Sequence, residues 1–146
     1  MSWFWQRKLG ASVGVASERV TTITMRQPVN DGGQNGEDAL KRGLSLFNAQ
    51  DYFEAHEVWE EWWRATTSPE KQNIQAIIQV AVAMHHYTTG NCEGARSVME
   101  RALRNLEDAG DEFRGLDLVR LRGDMRQVIQ QLSEATAVTF FKIVRP

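Results

Sequence analysis

The residues with the greatest chemical capacity lie in one run, Asp51-Tyr52-Phe53-Glu54-Ala55-His56-Glu57-Val58-Trp59-Glu60-Glu61-Trp62-Trp63. On a helix, at about 100° per residue, Tyr52, Ala55, Trp59, Trp62 and Trp63 form an apolar face, with Glu54, Glu57 and Glu61 opposite. His56 and Glu60 share the seam between the two faces, one turn apart and within reach of each other. Glu57 is next along that edge. His56-Glu57-x-x-Glu60 has the spacing of the zinc-protease His-Glu-x-x-His helix, with the second histidine replaced by a carboxylate. In that motif the i and i+4 side chains hold the metal and the intervening glutamate serves as base. The match is incomplete, and the run also reads as a solvated acidic edge in which Glu54 caps the helix start.

A second stretch supplies possible partners. Ile74, Ala76, Ile77, Ile78, Val80, Ala81, Val82, Ala83, Met84 and Tyr87 cover most of a helix circumference, which predicts a central, enclosed helix. Gln75, Gln79 and His86 fall along one line of it. Buried polar groups need partners, and the nearest in sequence are His56 and Glu60. Two readings follow. In the first, His56, Glu60 and His86 are ligands of a divalent transition metal (Zn, Mn or Fe), and Glu57 is the catalytic base that activates a bound water in a hydrolase-like site. In the second, the His/Glu set only fixes helix register, and the domain is a helical module that binds a protein or peptide. His85 points about 100° away from His86 and is the weaker participant.

Other chemistries are excluded or discounted. The sequence has no Gly-x-x-x-x-Gly-Lys, Gly-x-Gly-x-x-Gly or Gly-x-Ser-x-Gly motif. A di-iron bundle needs Glu-x-x-His pairs, but Phe53 and Ala83 stand three residues before His56 and His86. The single cysteine, Cys92, rules out a disulfide framework and reads as packing. Trp59, Trp62 and Trp63 read as core, and the arginines at 96, 101, 104, 120, 122 and 126 as solvated faces interleaved with acids.

Positioning this set requires helices. Periodicity and caps predict them over about 37–49, 52–65 (Asp51 as N-cap), 69–89 (Ser68 cap, Pro69 first), 92–108 (Asn91 cap) and Asp117 to about Glu134. The last has a narrow apolar seam of Leu118, Leu121, Met125, Val128 and Leu132. Residues 137–146 are β-branched and aromatic, hence extended. Offsetting the chain by 40 residues aligns Leu44 with Met84, Phe47 with Tyr87, Asp51 with Asn91, Ala55 with Ala95 and Val58 with Val98. Each copy is a helix, capped turn and helix, resembling a tetratricopeptide-type hairpin. Two copies are too few for a solenoid. The expected fold is an all-α compact bundle of about five helices, two antiparallel hairpins closed by a C-terminal helix.

The 146 residues suit one domain and one extension, and 42% hydrophobic content supplies a core. Residues 1–36 carry Arg7, Lys8, Arg19 and Arg26 against Glu18 and Asp31, a balance of +2 within a net charge of −2. They lack periodicity and end in Asn30-Asp31-Gly32-Gly33-Gln34-Asn35-Gly36, which predicts a flexible N-terminal extension before a domain at 37–146. The basic, Ser/Thr-containing start admits an organellar address against a cytoplasmic default, and Met25 is an alternative translation start. The slightly acidic total argues against nucleic-acid binding, and no stretch is apolar enough to span a membrane. The partner expected is a small molecule or a protein.

Two blocks also carry a resemblance. Phe47-Asn48-Ala49-Gln50-Asp51-Tyr52-Phe53-Glu54-Ala55-His56-Glu57 with Glu60 and Trp63, and Ile78 to His86 followed by Gly90-Asn91, resemble the DUF309 family. The likeness is close over about 43–108 and looser at Gly115-Leu116-Asp117. It implies a small all-α domain of uncharacterised function, sometimes described as a metal-dependent hydrolase, with Glu54, His56, Glu57, Glu60 and His86 as its polar set. The usual glycine before the tyrosine block is Gln50 here, a departure at the turn and not at the site.

Overall fold

The computed structural model describes residues 34–145. The readings of the aromatic and basic start, of an address signal and of Met25 lie outside the described residues. Five helices follow one another: α1 (Gln34–Asn48), α2 (Tyr52–Ala65), α3 (Glu70–Thr88), α4 (Cys92–Leu106) and α5 (Leu118–Ser133). Two-residue strands β1 (Glu112–Phe113) and β2 (Leu116–Asp117) pair antiparallel between α4 and α5. Each helix packs on the next in sequence, as short connections between antiparallel neighbours dictate. The all-α bundle expected from periodicity is the fold.

The core is organised around α3. From Ile74 to Met84 nearly every side chain is enclosed, Ile74, Ile77, Ile78, Val80 and Met84 completely. Each such side chain contributes roughly 1.5–3 kcal/mol by leaving water. The α2 face (Tyr52, Ala55, Trp59, Trp62) closes one side of α3 and the α4 face (Val98, Met99, Ala102, Leu106) another. The alanines matched by the forty-residue offset, Ala55 and Ala95, are both buried at helix contacts. The α5 seam of Leu118, Leu121, Met125 and Val128 is buried as expected, and Leu132 is half-buried.

Three details correct the sequence reading. The first helix begins at Gln34, so the last three residues assigned to the linker are helical, and Gly36 lies against the Trp62 indole. Asp51 precedes α2 but makes no side-chain capping bond, whereas Asn91 caps α4 through Gly94 N–H (2.9 Å) and Asp117 caps α5 through Arg120 N–H (3.0 Å). Pro69 precedes α3 instead of opening it, and Ser68 Oγ accepts from Glu70 N–H. The polar break after α4 holds a β-hairpin whose turn residues Arg114 and Gly115 both have positive φ (51° and 86°), the twist two-residue hairpins prefer. Phe113 and Leu116 anchor it in the core.

Helices α1, α3 and α5 end alike. At each, the second residue after the helix takes a left-handed conformation and the next N–H bonds back to a carbonyl in the last turn. These are Gln50 (φ 67°; Asp51 N to Leu46 O, 2.8 Å), Gly90 (φ 89°; Asn91 N to His86 O, 2.8 Å) and Ala135 (φ 57°; Thr136 N to Gln131 O, 2.9 Å). Only Gly90 has the residue type that takes this conformation without penalty. Gln50→Gly should therefore raise stability by about 1 kcal/mol, read as a higher urea midpoint at unchanged slope. Gly43 serves a different need, because a Cβ there would run into the Trp59 indole where α1 crosses α2. Gly43→Ala should cost roughly 1–3 kcal/mol by overpacking, measured in the same titration.

Candidate functional site

The α2 polar edge forms a continuous row. A carbonyl only accepts, so His56 Nδ1, 3.1 Å from the Phe53 carbonyl oxygen, carries a proton and donates to it. That fixes the ring and turns Nε2 toward Glu60 Oε1 at 3.3 Å. The other carboxylate oxygen of Glu60 receives Arg64 Nη2 at 3.1 Å. His56 and Glu60 are enclosed, 3% and 4% exposed, while Arg64 reaches solvent. The i, i+4 spacing read from the sequence thus brings His56 and Glu60 together, and Arg64 extends the ladder by one more turn. Glu54 is exposed and Glu57 half-buried at the edge of this row.

Two residues of the α3 polar line have partners on the α4 side. Gln79, 2% exposed, accepts from Asn105 Nδ2 on α4 at 2.7 Å. His86, 6% exposed, has Nδ1 3.4 Å from Asn91 Nδ2 at the start of α4. These contacts run toward α4 because α3 is sandwiched between two helices and its polar stripe lies on the α4 side. The ring seen beside His56 is His85. Phe53 sits between the two, its centroid 5.3 Å from His56 and 5.4 Å from His85. Burial, and secondarily the nearby His56, pushes the His85 pKa below its ordinary value. Arg64 and His85 were not singled out from the sequence. Arg64 was readable at i+4 from Glu60, whereas His85 depends on how two helices rotate against each other.

Among the described residues, no group of three or more His, Cys, Asp or Glu side chains is placed to hold a metal ion. A surface depression lined by Cys92, Glu93, Arg96, Leu132 and Ser133 includes none of the His/Glu set. No helix among the described residues is long and apolar enough to cross a membrane.

The sequence is similar to known proteins. Residues 40–98 match the family described as a domain of unknown function, DUF309. Over those residues the chain is similar to that family. The matched stretch holds the whole α2 row, α3 with His85 and His86, and Asn91. The DUF309 match leaves outside it the hairpin, α5 and the C-terminal segment. An uncharacterized protein of Aquifex aeolicus (strain VF5) is 30% identical over 93 residues, 63% of this chain and 28% of its own length. The uncharacterized protein YpuF of Bacillus subtilis (strain 168) is 35% identical over 91 residues, 60% of this chain and 52% of its own length. The chain therefore spans between about a quarter and about half of the length of these relatives.

The depressed His85 pKa sets an acid limit. Below about 6.5 the unfolded chain takes up a proton at this position before the folded one does, so stability is full above that pH and falls as pH drops toward the lowered folded value. His85→Gln should flatten this decline between pH 7 and 5 in urea titrations, and imidazole NMR should show His85 titrating below 6.5.

Proposed function

We propose that this DUF309-like domain is a helical interaction module in which the His/Glu set is structural. The observation that carries the reading is the enclosed His56 ring. One nitrogen is committed to the Phe53 carbonyl, the other faces Glu60, and the second oxygen of Glu60 is taken by Arg64. A row so covered and mutually engaged ties one turn of α2 to the next and supports Phe53 against His85 on α3. Apolar side chains, by contrast, face solvent at Val119, Phe140 and Val144, on α5 and the segment after it.

A metal-dependent site is the second reading, favoured by one measurement. Two donors each about 2.0 Å from one tetrahedral ion lie roughly 3.3 Å apart, and His56 Nε2 and Glu60 Oε1 have that separation. This reading requires His86 to join them as a ligand of Zn, Mn or Fe and Glu57 to act as base. The donors placed together among the described residues fall short of that set.

The two readings separate in one variant. Removing His56 strips an enclosed carboxylate of one partner while leaving it Arg64. His56→Ala should therefore lower unfolding stability by about 2–3 kcal/mol. The full chain should carry no stoichiometric metal by elemental analysis, and added Zn²⁺, Mn²⁺ or Fe²⁺ should not shift its melting temperature. Near-stoichiometric metal, abolished by His56→Ala with the fold intact, would overturn the interaction reading.

A further inference from the structure

The segment after α5, from Ala137 to Arg145, belongs to no helix and pairs with no strand among the described residues. Its backbone is held by helix side chains instead. Asn48 at the end of α1 makes two bonds to a single residue, Oδ1 accepting from Ile143 N–H (2.9 Å) and Nδ2 donating to Ile143 O (3.0 Å). That is the bonding a neighbouring strand would supply, delivered by one amide. Gln131 on α5 repeats the device, accepting from Thr139 N–H (2.9 Å) and donating to Thr139 Oγ1 (3.0 Å). Val138 N–H reaches the Tyr87 hydroxyl at 3.3 Å. Reading a backbone through side-chain amides is indifferent to the sequence being read, so specificity falls to the apolar positions and the charge.

Those positions form a pattern. Val138 and Ile143 are buried, and the Phe141 ring packs 5.6 Å from Phe47. At the far end Arg145 donates to Glu37 Oε2 (2.7 Å) and to the Arg114 carbonyl (3.2 Å). The Arg145 hydrogen bond holds the Glu37 carboxyl below its ordinary pKa, desolvation opposes it, and the charges of Arg145, Lys41 and Arg114 add to the lowering. The surface therefore takes an extended chain with a β-branched residue, an aromatic three positions on, a β-branched residue two further, and a cation two beyond that. The tether is short, and it passes through Ala135, a non-glycine residue in the left-handed region.

We infer that the surface formed by Glu37, Asn48, Tyr87 and Gln131 is a docking groove for an extended peptide segment of a partner protein with this apolar and basic spacing, and that residues 137–145 are its resident intramolecular occupant. The inference rests on the interaction reading and gives that reading a surface and a ligand class. Because the resident segment is tethered, it competes at high effective concentration, and a free peptide binds well only when the segment is weakened. Val144 is exposed, whereas Phe140, partly exposed, still packs on Tyr52 (6.4 Å between centroids) and on Tyr87 (6.0 Å) at the edge of the groove.

The test uses the full chain and a fluorescein-labelled peptide with the sequence of residues 136–145. Ile143→Asp weakens the resident segment and leaves the groove intact. The peptide should bind this variant saturably in fluorescence anisotropy, at least tenfold more tightly than it binds the unaltered chain. Adding Asn48→Ala to Ile143→Asp should weaken binding at least tenfold again. In the unaltered chain, hydrogen exchange at the amides of Val138, Thr139 and Ile143 should run at least a hundredfold faster than at core amides of α3 such as Ile78, reporting local release. The inference is overturned if Ile143→Asp unfolds the domain, if that variant folds but binds no peptide, or if the tail amides exchange only as fast as those of α3. It is also overturned if light scattering shows the unaltered chain as a dimer that exchanges tails. A chain that carries no metal and binds no peptide keeps the interaction reading and loses this groove, whereas stoichiometric metal at His56 removes the reading itself.

Discussion

The enclosure of α3 is the constraint from which the rest of the molecule follows. A helix apolar around most of its circumference cannot rest on a surface, so α2 and α4 must flank it and the remaining elements must close over the gaps. That demand explains the crowding of α2 with Trp59, Trp62 and Trp63, whose area seals one flank. It explains why α1 approaches closely enough at Gly43 to exclude even a methyl group. It also sets the terms for polar groups, since whatever an enclosed helix carries must be satisfied by its immediate neighbours. Gln79 finds Asn105 and His86 finds Asn91, both on the α4 side.

The same constraint shapes the α2 row. His56 and Glu60 lie where the apolar face of α2 meets its acidic one, and the fold covers both almost completely. A buried carboxylate is tolerable only with partners, and the row provides them in order: ring, carboxylate, guanidinium, with the guanidinium reaching water. Chemistry and structure make overlapping demands on such a ladder, since a fixed imidazole tautomer and an engaged carboxylate are needed for ligation and for packing alike. For that reason the motif by itself does not separate an enzyme from a binding domain, and metal content and stability do.

What the sequence made legible is what repeats along one helix. The five helices, the α3 burial, the caps at Asn91 and Asp117, and the proximity of His56 to Glu60 all follow from spacing within a single element. What it hid depends on two elements at once. Gln79 was assigned toward α2, but helical rotation turns it to Asn105. His85 was set aside, yet Phe53 brings it beside His56. The hairpin at Phe113–Leu116 is too short for alternation to show, and Asp51 shares the position of a cap, and nearly the backbone angles of the capping Asn91, without making the bond. The berth of the C-terminal segment on Asn48 was not readable, because the two are 95 residues apart.

That separation bears on how the protein is made. A ribosome delivers α1 and α2 well before the Ile143 region, so Phe47 and Tyr52 wait without their Phe141 and Phe140 neighbours until the later segment is made. The helix pairs, built from neighbours in the chain, can assemble as they emerge. The later segment completes the surface only once it has emerged, leaving a nascent interval in which the aromatic flank of the bundle is open to whatever else in the cell recognises an unfinished chain.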